Sequence, residues 1–347
     1  MRVVTAALAF LIIGGQLCAQ TPASSPAENP QASSPAANPQ ATDAAAPAPS
    51  PKGTTGSTFR SGVDLVSLNV IVTDAKDHFV TGLAEKNFAV YEDGIQQDIS
   101  FFAASNVSLD LAILLDASAS MTESMPTVQQ AAIGFASHLR QGDRVTVVSI
   151  KDSARTLHPL DEDVRKATDA IRHVTAGGST ALYNSIYMTI KQMQKVHAAD
   201  GDVRRQAIAV LTDGEDTASI VTFDDLMQVA KEAGIAIYTI ALKSPYAAIG
   251  MSTSRKYFSE SDFAMKSLAQ ETGARSFFPN DISQLAGVYD SITEELASQY
   301  AVGYSPKNPR RDGSYRRIVV RVTEPNTRTR TRSGYIATAP AQETVSR

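Results

Sequence analysis

Leu109-Asp-Leu-Ala-Ile-Leu-Leu-Asp-Ala-Ser-Ala-Ser120 begins as a nearly unbroken apolar run and ends in a loop of one carboxylate and two hydroxyls. An apolar run of this length is typical of a strand covered on both faces, as in a parallel sheet. The residues that follow alternate between strand and helix patterns. Strands are predicted at 144–151, 206–212 and 235–242, with a short one at 275–278. Helices are predicted at 127–140, 182–196, 223–233, 263–272 and 282–298, the third and fourth closed by Gly234 and Gly273. Glycine just past a helix is the usual stop signal. This alternation predicts an α/β fold, a doubly wound and mostly parallel sheet with helices on both faces. In such open sheets ligands bind outside the carboxyl ends of the strands. Asp116-Ala-Ser-Ala-Ser120 stands at one such end, Gly177-Gly-Ser-Thr180 precedes the helix at Leu182, and Thr212-Asp-Gly214 follows the strand ending at Leu211. All three loops are expected on one edge of the sheet.

On either side the chain turns to β character. Strands are predicted at 63–72, 88–91 and 97–102 ahead of the α/β region, and at 299–304, 315–323 and 328–335 behind it. We expect the β segments 59–104 and 299–337 to pair as one small β-sandwich-like module. The α/β domain, 105–298, would then be inserted into that module, with 338–347 as a tail. Thr21 to Thr58 is rich in Ala, Pro and Ser and contains the near-repeats SSPAENPQA and SSPAANPQA. It lacks the bulky apolar groups needed to offset the entropy of ordering, so residues 20–58 read as an extended, disordered tether.

The first 19 residues set the expected compartment. A basic Met1-Arg2, an apolar Val3 to Gly14 and small residues near Cys18-Ala19 have the order of a cleavable signal peptide. Its apolar core is short of the roughly 20 residues a membrane-spanning helix needs. The protein is therefore expected to be exported, to the periplasm, cell surface or medium, with no transmembrane segment in the mature chain. Cys18 is the only cysteine. It leaves open a lipid anchor, although Gly15-Gln-Leu17 before it fits a lipobox poorly. If Cys18 departs with the leader, disulfides, thiol catalysis and thiolate metal sites are excluded. A net charge of −4 argues against nucleic acid as a partner, because no basic excess exists to neutralise phosphates. The dense arginines between Arg310 and Arg332 are spaced by Thr and Ser at strand-like intervals and read as a solvated strand face.

With these pieces in order, the chain resembles the von Willebrand factor A family, whose metal ion-dependent adhesion site (MIDAS) combines D-x-S-x-S with a distant Thr and a distant Asp. Here these are DASAS at 116–120, GGSTAL at 177–182 and LTDGED at 211–216. The resemblance spans about Leu109 to Ser298 and implies the doubly wound, Rossmann-like fold of that family. It also implies that Ser118, Ser120 and Thr180 ligate a divalent cation through their hydroxyls, and that Asp116 and Asp213 act largely through bound water. The flanking strands, with Phe88-Ala-Val-Tyr-Glu-Asp-Gly94 and Gln299-Tyr-Ala-Val-Gly-Tyr-Ser305, resemble a narrower group of related proteins typical of Acidobacteria.

An all-oxygen donor set suits magnesium, or manganese, which demands near-octahedral coordination at about 2.1 Å and retains water. If the carboxylates stand one shell back, the ion keeps much of its charge. It is then best matched by an incoming carboxylate, so the expected partner is a protein presenting a Glu or Asp. Taken singly, each piece has a plainer reading: Asp116 or Ser118 as a helix cap, Gly177-Gly178 as a turn, Asp213-Gly214 as a strand-ending turn. Two other functions remain open. A structural or assembly protein of the envelope would use the metal only to hold the loops. An enzyme finds little support: no G-x-S-x-G elbow or H-E-x-x-H occurs, and the five histidines are scattered singly. We expect no catalysis. Lys243 to Asp262, with Tyr246, Met251, Tyr257 and Phe258, is long for a connection on this edge and is a candidate for partner selection or a packed insertion.

Overall fold

The structure, a computed structural model, describes residues 65–104, 107–200, 203–213, 215–242 and 260–338. The expected leader, the tether, nearly all of the 243–262 loop and the tail beyond Thr338 lie outside the described residues. β1 (Val66–Thr73) buries Val66, Leu68 and Val70 at alternate positions, the period-two pattern of a strand with one covered face. β2 (Phe88–Glu92) turns into β3 (Ile95–Gln97) through Asp93 and Gly94, at φ 48° and 83°. Two consecutive left-handed residues form the tight hairpin whose twist matches that of its strands. β4 is Ile99–Ala103.

The α/β layer follows. β5 (Leu109–Asp116) is buried at every position. After it come α1 (Met125–Ser137), β6 (Arg144–Ile150), β7 (Ala154–Asp161), α2 (Val164–Arg172), α3 (Leu182–Asp200) and β8 (Arg205–Thr212). The layer ends with α4 (Phe223–Ala233), β9 (Ala236–Ala241), α5 (Glu260–Glu271), β10 (Ser276–Phe277) and α6 (Leu285–Ala297). The six strands lie in the order β10-β9-β8-β5-β6-β7, parallel except for the edge strand β7, which runs against β6. From β5 the chain builds first toward β6 and later, from β8, in the opposite direction. The order therefore reverses at β5, and a crevice at its carboxyl end is the expected consequence. One apolar core joins the sheet to α1, α2 and α6, through Phe135, Ile171 and Tyr289 among others. The second joins its other face to α3, α4 and α5, through Ile186, Leu226 and Met265.

β11 (Tyr300–Tyr304), β12 (Tyr315–Val322), β13 (Arg328–Arg330) and β14 (Gly334–Ile336) return to the first strands. Two four-stranded sheets result, β13-β1-β11-β4 and β14-β12-β2-β3. Val66 pairs with Tyr304, and Tyr91 with Val319. Leu68, Phe88, Val90, Tyr300, Tyr304 and Ile318 share the core between them. The sandwich-like module built from both ends of the sequence is thus observed. Two strands expected to be continuous are not. The stretch 97–102 divides at Asp98, with β3 in one sheet and β4 in the other. The stretch 328–335 divides in the same way, with β13 and β14 on opposite sheets. Each divided segment crosses between the layers, so its apolar pattern serves two faces in succession.

A buried polar contact joins the module to the α/β layer. Tyr238 Oη donates to Glu295 Oε1 at 2.7 Å, and Arg330 Nη2 of β13 lies 2.5 Å from Glu295 Oε2 as an ion pair. Arg330 Nη1 also donates to the Gly273 carbonyl at 2.8 Å.

Candidate metal centre

The three polar loops do meet. The Gly177 N–H donates to the Ala117 carbonyl at 2.8 Å, and the Ala119 N–H to the Gly178 carbonyl at 3.1 Å, stitching the first loop to the second. Gly178 holds φ at +90°, and a Cβ there would lie 3.1 Å from Asp152 Oδ2. The positive φ favours glycine at this position, and a Cβ would also press on the Asp152 carboxylate. Asp152 holds the same loop from the other side, accepting the Ser179 N–H at 2.9 Å and the Ser179 hydroxyl. Those bonds hold its carboxyl below the usual aspartate value.

Asp116 ends β5, fully buried. Its Oδ1 accepts the Ser118 N–H at 2.9 Å, and its Oδ2 accepts the Thr212 hydroxyl from β8 at 2.8 Å. Burial pushes its carboxyl above the ordinary value of 3.8, against the hydrogen bonds from Ser118 and Thr212, and the nearby Asp213 charge adds to the rise. A carboxylate in that position is stabilised by any positive charge brought close to it. The hydroxyls of Ser118 and Ser120 lie 3.0 Å apart, and Ser120 donates in turn to Asp213 Oδ2. Thr180 is buried, and its backbone is clamped by the next segment. Its N–H donates to Thr217 Oγ1 at 3.0 Å, and its carbonyl accepts from the N–H groups of Thr217 and Ala218.

Asp116, Ser118, Ser120 and Asp213 are therefore joined in one hydrogen-bonded set, and Thr180 lies on the loop stitched to it. Asp116, Ser118 and Thr180 are buried, Asp213 is half-buried and Ser120 is exposed, so the set opens outward. Asp213 Oδ1 is buried without a hydrogen-bond partner. A carboxylate oxygen left in this state is costly unless a cation or water completes it. The donors are hard oxygens only, which fits magnesium or manganese and not a thiolate-seeking metal. Among the described residues no group of three or more His, Cys, Asp or Glu side chains could hold a metal ion. A cation here would depend on hydroxyls as much as on carboxylates.

Sequence reasoning missed the supports. Thr212, Asp152 and Thr217 hold the loops, Asp216 accepts the Leu182 N–H at the start of α3, and Asn184 Oδ1 accepts the N–H groups of Ile220 and Val221. Thr212 was the findable one, since it directly precedes Asp213 at the end of a strand pairing toward Asp116. The others act through contacts that no local spacing announces.

Residues 110–291 match the sequence family described as von Willebrand factor type A domain. A UPF0353 protein of Mycobacterium tuberculosis is 24% identical over 189 residues, covering 52% of this chain and 56% of its own. Its counterpart in Mycobacterium marinum is 25% identical over 182 residues, covering 50% and 54%. The chain thus spans about half the length of the curated relatives it matches. Among solved structures, a von Willebrand factor type A protein from Catenulispora acidiphila is 15% identical with a TM-score of 0.45, covering 80% of this chain and 64% of that one. Proximal thread matrix protein 1 from the mussel byssus, with a zinc occupied MIDAS motif, is 14% identical with a TM-score of 0.45, covering 60% and 50%.

Proposed function

Because the chain belongs to the von Willebrand factor type A domain family, we propose that it is a metal-dependent protein-binding protein that captures an acidic side chain of a partner. Ser118, Ser120 and Thr180 would hold magnesium or manganese through their hydroxyls, with Asp116 and Asp213 supporting it largely through water. The bound cation supplies positive charge and a coordination position for a Glu or Asp carboxylate. The buried Asp213 Oδ1 without a partner is the observation that carries this reading. Asp116 is kept from direct exposure by Thr212 and the Ser118 N–H, which leaves the hydroxyls as the outward donors. In our reading the protein is exported and not an enzyme.

A purely structural role for the metal is the second reading. The loops, however, are already tied by the bonds of Gly177 and Ala119 and by the Thr180–Thr217 clamp, so they do not depend on an ion to meet. Titration calorimetry of the folded protein with magnesium and manganese chloride tests the proposal. We expect saturable uptake that Ser118→Ala removes. An immobilised wild-type chain, but not Ser118→Ala, should retain envelope proteins in magnesium and release them in EDTA. No uptake at millimolar metal would overturn the proposal. Uptake with a large gain in melting temperature but no metal-dependent capture would favour the structural reading.

A further inference from the structure

At the other end of β8 from the metal loops, residues 60–347 being one compact unit, the α/β layer and the β module enclose a cleft of about 680 Å³. With about 3.3 Å per residue along β8, its floor at Arg205 lies roughly 23 Å from Thr212, the residue before Asp213. Such a volume is that of a small-molecule site. Its lining is rich in guanidinium groups: Arg205, Arg310, Arg311 and Arg332 border it, with His197 beside them and Glu232 as the one lining carboxylate among the described residues. Arg204 also lines it, but is spent on Asp110 through Nε at 2.7 Å and on the Gly142 carbonyl. Arg205 is spent likewise, on the Val107 carbonyl through Nε at 2.9 Å and on the Leu296 carbonyl through Nη1.

Arg332 is the informative residue. Its Nε is buried with no hydrogen-bond partner, and so is His197 Nδ1. Of the seven buried polar side-chain atoms without a hydrogen-bond partner among the described residues, these two belong to residues that line the same cleft. The guanidinium lies over the Tyr335 ring at 5.5 Å and against the end of α4, where a Cβ on Gly234 would come within 2.8 Å of Nη1. The helix end offers partial negative charge, and the ring face attracts the cation. Neither neutralises a charge that burial disfavours and that arginine cannot lose at any ordinary pH. Arg310 and Arg311, exposed on the β11–β12 connection, add positive charge at the mouth.

We propose that this cleft is a second binding site, for a ligand carrying two or more oxyanion groups, phosphate or carboxylate, larger than a single inorganic phosphate. Planar guanidinium groups match both oxyanions through paired N–H donors. The probes are therefore pyrophosphate and citrate, titrated into the full folded chain in EDTA so that the metal loops take no part. Saturable binding of either is expected, weakening as salt is raised, and the stronger of the two identifies the oxyanion. The Arg332 Nε–Hε resonance should shift with the same saturation. Arg310→Ala with Arg311→Ala, both exposed, should leave the urea midpoint close to that of the wild type and weaken binding by roughly tenfold or more, the loss expected when charged contacts are removed. If neither probe binds saturably, or the double variant binds as tightly as the wild type, the proposal is overturned.

Discussion

The Thr212 hydroxyl, on β8, donates to Asp116 Oδ2 at the end of the neighbouring β5, at 2.8 Å and out of contact with water. It fixes one oxygen of the buried carboxylate while the Ser118 N–H fixes the other. Thr212→Val keeps the shape and removes the donor. Leaving a buried carboxylate short of a partner costs about 1–3 kcal/mol. Support residues of metal sites are worth about 10–100-fold in affinity. We expect a lower urea midpoint and magnesium affinity reduced by about tenfold or more, read by denaturation and calorimetry.

Asp213→Ala removes the buried oxygen that has no partner and the acceptor of Ser120. The wild type should be stabilised by magnesium, by about 2.7 kcal/mol at a concentration 100-fold over its dissociation constant. The variant should show no such gain. A melting-temperature series with and without magnesium reads both.

Arg330→Ala strands Glu295, whose side chain is 1% exposed, with only Tyr238 as donor and Arg275 Nη1 at 3.9 Å. Breaking a buried pair on one side is worth about 3 kcal/mol or more. Denaturant unfolding should show that loss. Glu295→Leu together with Arg330→Met should recover part of it, because an apolar pair removes both charges.

Alkaline pH should weaken the fold. Burial pushes the Tyr238 and Tyr289 phenols above their ordinary value of 10, so the folded chain keeps protons that the unfolded chain releases. Above about pH 10 the unfolded state therefore binds fewer protons, and stability falls as pH rises further. Tyr289→Phe, which keeps the buried ring and removes the titrating hydroxyl, should decline less steeply than the wild type above about pH 10. Urea midpoints taken across the alkaline range decide this.

The sheet and its helices were readable because their signals are local. β5 is apolar but for Asp110 and Asp116, and α4 carries both a Thr222 cap and a closing Gly234, so its bounds follow from the sequence alone. β7 and α2 were not anticipated. Ala-Arg-Thr-Leu-His-Pro-Leu-Asp has no clean alternation, because an edge strand buries little. The helix after it is marked by the Asp163 cap, accepting the Lys166 N–H at 3.1 Å, and by Ala167 and Ile171, buried one turn apart, but it is only nine residues long. The three polar loops that meet at Asp116, Thr180 and Asp213 were legible by residue type and order. Their clamps were not, since the Thr180–Thr217 and Asp152–Ser179 contacts depend on how loops fold over each other. The divided strands at 97–102 and 328–335 failed for another reason: period-two patterning does not say which of two sheets a face belongs to.

Tyr300 Oη accepts the Leu83 N–H from a residue 217 positions earlier. A chain leaving the ribosome makes β1 to β4 first, and their partners β11 and β12 are among the last strands synthesised. The whole α/β layer must emerge, and has time to fold, while the early strands wait with open edges exposed to aggregation. Once folded, that layer brings Leu109 and Leu296 close enough for the late strands to close the module, so defects in the layer should surface first as unpaired β1.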